Sequence, residues 1–227
     1  KMSLNQLANS LFEATQVYFD LGDDNRSYDG YQKILKITKP RAGEKMGPNP
    51  RVRYDTFHQL SLLSFFKTDY DSAIFYMNKS IEIIQYLEQQ ADIITRREYN
   101  ASLIASYENL IHYNMKLNDT MGVFTAIENS KARVLKQQLF NQEEKVVSPK
   151  ISDIQKTLSF KEAIIIYSNI HWDEMIQFVI TKDSISIISV PDSSFFKTLY
   201  PDNKNANINL AIKSYRNSIK RLNENED

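Results

Sequence analysis

The chain has 227 residues, of which 42% are hydrophobic and 25% charged, and its 28 basic side chains balance its 28 acidic ones. This neutrality provides no overall attraction to nucleic acid or to an anionic membrane, and the length allows one or two domains. The absence of cysteine excludes disulfides, a thiol nucleophile and thiolate metal ligands within this chain. No apolar run approaches the roughly 20 residues of a membrane span, and we expect a cytoplasmic protein without a membrane segment.

The chain begins with two apolar-periodic segments separated by a turn signal at residues 21–24. In each segment the apolar positions recur on one helical face. They are Leu4, Leu7, Leu11, Ala14 and Tyr18 in the first segment, and Ser27, Tyr31, Ile34 and Leu35 in the second. We predict a pair of helices joined by a turn, followed by a loop at residues 40–50, where Pro and Gly disfavour both helix and strand.

Two further helix pairs are predicted along the chain. The second pair covers residues 54–66 and 72–87, and the third covers residues 99–116 and 124–140. The segment from 124 to 140 contains no Gly or Pro and should form one long helix. Because this helix ends the series of pairs, we expect it to connect them to the part of the chain that follows.

The three predicted turns have the same local pattern. Gly22, Thr68 and Asn118 are equivalent turn residues, and an aspartate follows each of them. A small or slim residue stands five positions after the turn residue, and a larger one stands nine positions after it. These residues are Ser27, Ala73 and Val123 at the first position, and Tyr31, Met77 and Ile127 at the second. The recurrence indicates an internal repeat of helical hairpins.

This pattern resembles the tetratricopeptide repeat, in which small residues let the two helices of a hairpin approach closely. The resemblance covers about residues 4–140. The glycine that is usual in the first helix of the repeat is replaced by Thr15, Ser61 and Ile111. The turns lie 46 and 50 residues apart, from residue 22 to 68 and from 68 to 118, whereas the standard repeat has about 34. We therefore expect lengthened helices and one inserted loop.

The remainder of the chain, after a linker at residues 146–150, has short strand-like segments. We predict a short helix at 151–159 and three strands at 163–170, 175–182 and 184–190. A polar loop at 191–205 then precedes an amphipathic helix at 206–222. The apolar stripe of that helix consists of Ile208, Ile212, Tyr215, Ile219 and Leu222.

The predicted fold class is thus mostly α, with two domains. Residues 1–145 form a tetratricopeptide-like solenoid of three helical hairpins, and residues 146–227 form a small α+β segment with a three-stranded sheet. Three short strands and a helix make a thin core for about 80 residues. We therefore expect the sheet to pack against the repeats or against absent sequence, and an exposed apolar sheet face would indicate the latter.

The end of the helical series resembles the arrays that precede CHAT domains, which are caspase-like cysteine protease domains of bacteria. The matching residues of the last predicted repeat helix are Glu128, Ser130, Lys131, Ala132, Arg133 and Leu135. The strands EAIIIY (162–167), QFVIT (177–181) and SVP (189–191) that follow are similar to the opening of that domain. The resemblance implies a partial caspase-like domain, of which roughly the last 80 residues are only the opening portion.

The resemblance implies a cysteine endopeptidase that is regulated by binding at the repeats, but this chain lacks the cysteine nucleophile. His171 stands in a predicted turn before Trp172 and is interpreted as an exposed turn histidine. No catalytic residue is therefore assigned. We expect this chain to be the regulatory portion of such a protease, with the rest of the CHAT domain in cis. The alternative is a stand-alone repeat scaffold that has no protease activity in the full-length protein.

Tetratricopeptide arrays bind peptides or helices in a concave groove that is lined by the first helix of each repeat. Alignment of the three predicted hairpins with the tetratricopeptide repeat predicts which of their residues face this groove. They are Asn9, Phe12, Gln16 and Phe19 in the first repeat, Asp55, His58, Leu62, Phe65 and Phe66 in the second, and Ala105, Glu108, His112 and Met115 in the third. These residues are aromatic or mixed polar, which favours an apolar peptide or a segment of the same protein over a C-terminal carboxylate. An equally weighted alternative is that half of them pack between repeats.

The sequence contains no convincing metal, cofactor or nucleic-acid signal. His58 and His112 are too few for a metal site, and no phosphate loop, catalytic triad or dinucleotide motif is present. The basic residues of the two long helices are interpreted as solvated faces. They are Lys131, Arg133 and Lys136 in one helix, and Lys213, Arg216, Lys220 and Arg221 in the other.

Overall fold

The computed structural model of the protein describes residues 3–139, 150–170 and 174–191. His171, most of the predicted linker at 146–150 and the predicted helix at 206–222 lie outside these described residues. The described part begins with six helices in three consecutive pairs. They are α1 (Leu4–Asp20), α2 (Asp24–Ile37), α3 (Pro50–Phe66), α4 (Tyr70–Gln90), α5 (Ile93–Lys116) and α6 (Thr120–Leu139). A short helix and an antiparallel sheet follow, so the mostly α prediction is confirmed.

From α1 to α6, consecutive helices pack against each other, and α1 also contacts α3. This is the pattern of a stack of hairpins. Helices α3, α4, α5 and α6 all begin earlier than predicted, because their caps lie further upstream. The Asn49 side chain accepts a hydrogen bond from the backbone N–H of Val52 at the start of α3, and Asp92 accepts one from Thr95 at the start of α5. The capping side chains satisfy backbone donors that the first helical turn leaves free.

The three hairpin turns have the same geometry. Gly22, Thr68 and Asn118 have left-handed φ angles of 73°, 60° and 55°. The aspartate after each turn residue caps the second helix of its pair, by accepting a hydrogen bond of 2.9–3.1 Å from the backbone N–H three residues on. The backbone N–H of the same aspartate donates to the carbonyl five residues before it, at 2.9 Å in each hairpin. The internal repeat inferred from the sequence is therefore a repeat in structure.

The two repeated positions of the second helices are buried without exception. Their side chains are 0% exposed, and they are Ser27, Ala73, Val123, Tyr31, Met77 and Ile127. The missing glycine of the first hairpin has a structural explanation, because a Cβ at Gly30 would overlap the Thr15 side chain. Here α2 supplies the small residue and α1 supplies the larger one, so the helices of the pair still approach closely.

The sheet consists of β1 (Ala163–Ile170), β2 (Glu174–Thr181) and β3 (Ile185–Pro191), with β2 in the centre and both pairings antiparallel. Helix α7 (Ile151–Thr157) precedes it. One sheet face packs on the helices, where Phe178 is fully buried and its ring centroid lies 5.4 Å from that of Phe124 on α6. The expectation that the sheet packs against the repeats is confirmed, because both belong to one hydrophobic core.

None of the helices in the described ranges is long and apolar enough to cross a bilayer. The division at residue 145 into two domains stays a prediction.

Candidate functional site

The first helices of the three hairpins carry a repeated set of surface positions, at ten, six and three residues before each turn residue. At these positions α1 has Phe12, Gln16 and Phe19, α3 has His58, Leu62 and Phe65, and α5 has Glu108, His112 and Met115. All nine residues are half-buried. Side chains that line one surface across three hairpins should be partly buried at equivalent positions, as these are. We call these nine residues the helix-row surface.

An aromatic cluster crosses the helix-row surface near the hairpin turns. The Phe65 ring lies 5.0 Å from the His112 ring of the next hairpin and 6.0 Å from the Phe66 ring, measured between centroids. Phe66 in turn lies 6.4 Å from Phe19 of the preceding hairpin. These four residues, which we call the aromatic ridge, join all three hairpins. Phe66 stands out among them because 67% of its surface is exposed.

Several of the predicted groove residues also contribute to packing. Phe65 stacks on Tyr113 with a centroid distance of 4.8 Å, and burial raises the pKa of Tyr113 to about 12. Phe12 lies 5.9 Å from the Tyr31 ring, whose hydroxyl donates to Gln16 Oε1 at 3.1 Å. These side chains hold hairpins together as well as line the surface. Phe66 is the predicted aromatic with the largest exposed area.

The surface becomes polar toward the start of α3. Asp55 accepts a hydrogen bond from Arg51 Nε at 3.2 Å, and Arg51 also lies over the Tyr54 ring, 5.4 Å from its centroid. Burial raises the pKa of Asp55, and Arg51 opposes part of that rise. The sequence reasoning missed Arg51, although its spacing of four residues from Asp55 places the two on one helical face.

The predicted groove residues Asn9 and Ala105 are not among the nine residues of the helix-row surface. The Asn9 side-chain oxygen accepts a hydrogen bond of 3.0 Å from Asn49, so it ties α1 to the loop before α3. Ala105 is half-buried on α5. The centroid of the His58 ring lies 6.1 Å from that of Tyr54, whereas His112 belongs to the aromatic ridge. The two histidines are not at equivalent positions, because His58 is ten residues before its turn residue and His112 is six residues before its own.

The described residues contain no group of three or more His, Asp or Glu side chains arranged to hold a metal ion. The side chains of the helix-row surface itself are aromatic, aliphatic or mixed polar.

Comparison with known proteins does not identify a family. No protein-family model matches the chain, and no curated protein matches it. The crystal structure of BtubC (BKLC) from P. vanneervenii matches with 16% sequence identity and a TM-score of 0.49. That match covers 64% of this chain and 54% of the BtubC chain, so this chain spans about half the length of that structure.

Proposed function

We propose that this protein is a protein-interaction module. Its helix-row surface, together with Phe66 of the aromatic ridge, binds a peptide segment that carries apolar or aromatic side chains. The observation that carries the proposal is the exposure of Phe66 in the middle of the aromatic ridge. Burial of one such side chain by a partner is worth about 2 kcal/mol. Aromatic side chains that are held in place by neighbours are also frequent binding hot spots.

The charges of the surface support an apolar partner over a free C-terminal carboxylate. Recognition of a carboxylate requires unpaired basic side chains, and the helix-row surface itself includes Glu108 but no Lys or Arg. Arg51 lies next to it and is already hydrogen-bonded to Asp55. A peptide whose affinity depends on aromatic contacts should therefore bind with little dependence on salt concentration.

Peptide selection tests this proposal. A random peptide library displayed on phage is panned on the immobilised full chain, and the enriched peptides are synthesised and titrated by fluorescence anisotropy. We expect the enriched peptides to share an apolar or aromatic position. Phe66→Glu should weaken their binding by at least tenfold, because it removes the exposed ring and adds a charge at the contact.

Phe75→Glu provides the matched control. Phe75 is 55% exposed and lies on α4, which is not one of the helices of the helix-row surface. This substitution should change peptide affinity by less than twofold. Equal losses in the two variants, or no enrichment on the wild-type chain, would contradict the proposed site.

We further propose, as the activity of the full-length protein, a tetratricopeptide–CHAT cysteine protease of which this chain is the regulatory portion. Support comes from the residues of α6 that resemble the family and from the packing of α6 and α5 on the sheet. Helix α5 carries His112 of the aromatic ridge and also contacts β1. A peptide bound at the ridge would thus act on a helix that touches the proposed protease domain.

The native reading frame distinguishes this activity from that of a stand-alone scaffold. A protease requires further sequence with a His-containing strand and then a Cys-containing strand, and its full-length form should cleave peptide substrates only while that Cys is intact. A reading frame without those strands would favour the scaffold. The cytoplasmic location expected from the sequence stays a prediction.

A further inference from the structure

The sheet has a second apolar face, on the side away from α5 and α6. Side chains alternate along each strand, and the residues out of phase with the buried Phe178 include Ile165, Tyr167, Val179 and Ile188. Tyr167 and Ile188 are 45% and 47% exposed and lie on either side of Gln177 in the strand register. A sheet with apolar side chains on both faces is typical of the middle layer of a fold.

We propose that residues 206–222 form an amphipathic helix that covers this outer face, so that the sheet lies between two helical layers. The occupant is thus a segment of this chain, which 14 residues (192–205) connect to the end of β3. The apolar stripe of that segment runs from Ile208 to Leu222 at spacings of three and four residues. This inference concerns a different surface from the proposed peptide site and does not depend on it.

The proposed helix and the outer face of the sheet have similar dimensions. A helix of 17 residues, from 206 to 222, is about 25 Å long and about 10 Å wide. Strands of 7 or 8 residues are about 25 Å long, and the outer axes of three paired strands lie about 10 Å apart. One helix of this length therefore covers one face of this sheet.

The connection is also long enough. Strand β3 is an edge strand that ends at Pro191, and residues 192–205 can extend to about 45 Å. That reach exceeds the length of the face, so the helix can start from either end of it. Without this contact, both the helix stripe and the exposed Tyr167 and Ile188 would leave apolar area in water.

The absence of natural cysteine allows a direct test by thiol reactivity in the full chain. Ile188→Cys places one thiol on the outer face, and its rate of reaction with a maleimide is compared with that of a free thiol. In the chain that carries only Ile188→Cys, we expect this thiol to react at least tenfold more slowly than the free thiol. Adding Ile212→Asp and Ile219→Asp, which put charges on the helix stripe, should restore most of the free-thiol rate.

Matched controls separate loss of the contact from loss of folding. Ser214→Asp and Asn217→Asp add the same charge away from the stripe and should leave the slow rate unchanged. A thiol introduced at the inner face by Ile176→Cys should stay protected in every background, because Ile176 is fully buried against the helices. If Ile212→Asp and Ile219→Asp expose this inner thiol, they are replaced by Ile212→Ser and Ile219→Ser, which add no charge.

Two results would overturn the proposal. Labelling of the Ile188→Cys thiol at the free rate in the otherwise unchanged chain would show that the outer face is open. Slow labelling that the stripe substitutions do not alter would show that something else covers it. A second copy of the chain would then be indicated if the rate rose on dilution.

Discussion

The hairpin stack and the sheet differ in how far each is specified by its own sequence. Each hairpin contains its own turn residue, cap and pair of buried positions, and these recur at the same spacing three times. The sheet has no such repeated pattern, and its inner face is buried in a core that it shares with α5, α6 and α7. A repeat can be recognised locally, whereas the sheet depends on contacts between residues far apart in the chain.

The largest expected effect would test this dependence. Phe178→Ala removes a fully buried ring that contacts Phe124, and we expect it to lower the free energy of unfolding by about 3–5 kcal/mol. Urea unfolding followed by circular dichroism measures the loss. Phe160→Ala is the control, since Phe160 is 81% exposed, and it should cost less than about 1 kcal/mol. Equal effects would mean that the sheet is not stabilised by the helices.

A second substitution tests the packing inside one hairpin. Gly30→Ala places a Cβ against Thr15, and we expect the overlap to destabilise the chain by about 1–3 kcal/mol. The gain of about 1 kcal/mol that alanine brings to a helix interior offsets part of this cost, so the net loss should be up to about 2 kcal/mol. Thermal unfolding measures it, and adding Thr15→Ala should recover part of the loss. A stabilised Gly30→Ala variant would contradict the close approach.

The smallest effect concerns the repeated turns. Thr68 has a φ of 60°, a conformation that is strained for a β-branched residue and free of strain for glycine. Thr68→Gly should therefore raise the free energy of unfolding by about 1 kcal/mol, and Gly22→Ala should lower it by about the same amount. Two calorimetric scans give both values. Changes of the same sign in the two variants would show that the turns are not equivalent.

The aromatic ridge shows how far the candidate site could be predicted. Phe19, Phe65, Phe66 and His112 were all named from the repeat register, since equivalent positions of equivalent hairpins face the same way. The repeat alignment could not tell which of these side chains pack between hairpins and which are exposed to a partner. Phe65 is stacked on Tyr113 while Phe66 beside it is exposed, because which of two adjacent side chains meets the next hairpin depends on how the hairpins cross.

The sequence by itself determined the three hairpins, their turn residues, and the bounds of the strands to within a residue. These features depend on backbone preferences and hydrogen bonds between residues close together in the chain. Only the tertiary structure decided that Gly30 makes room for Thr15 and that the sheet shares a core with α5 and α6. Those outcomes depend on which distant side chains meet, and chain-local periodicity contains no information about that.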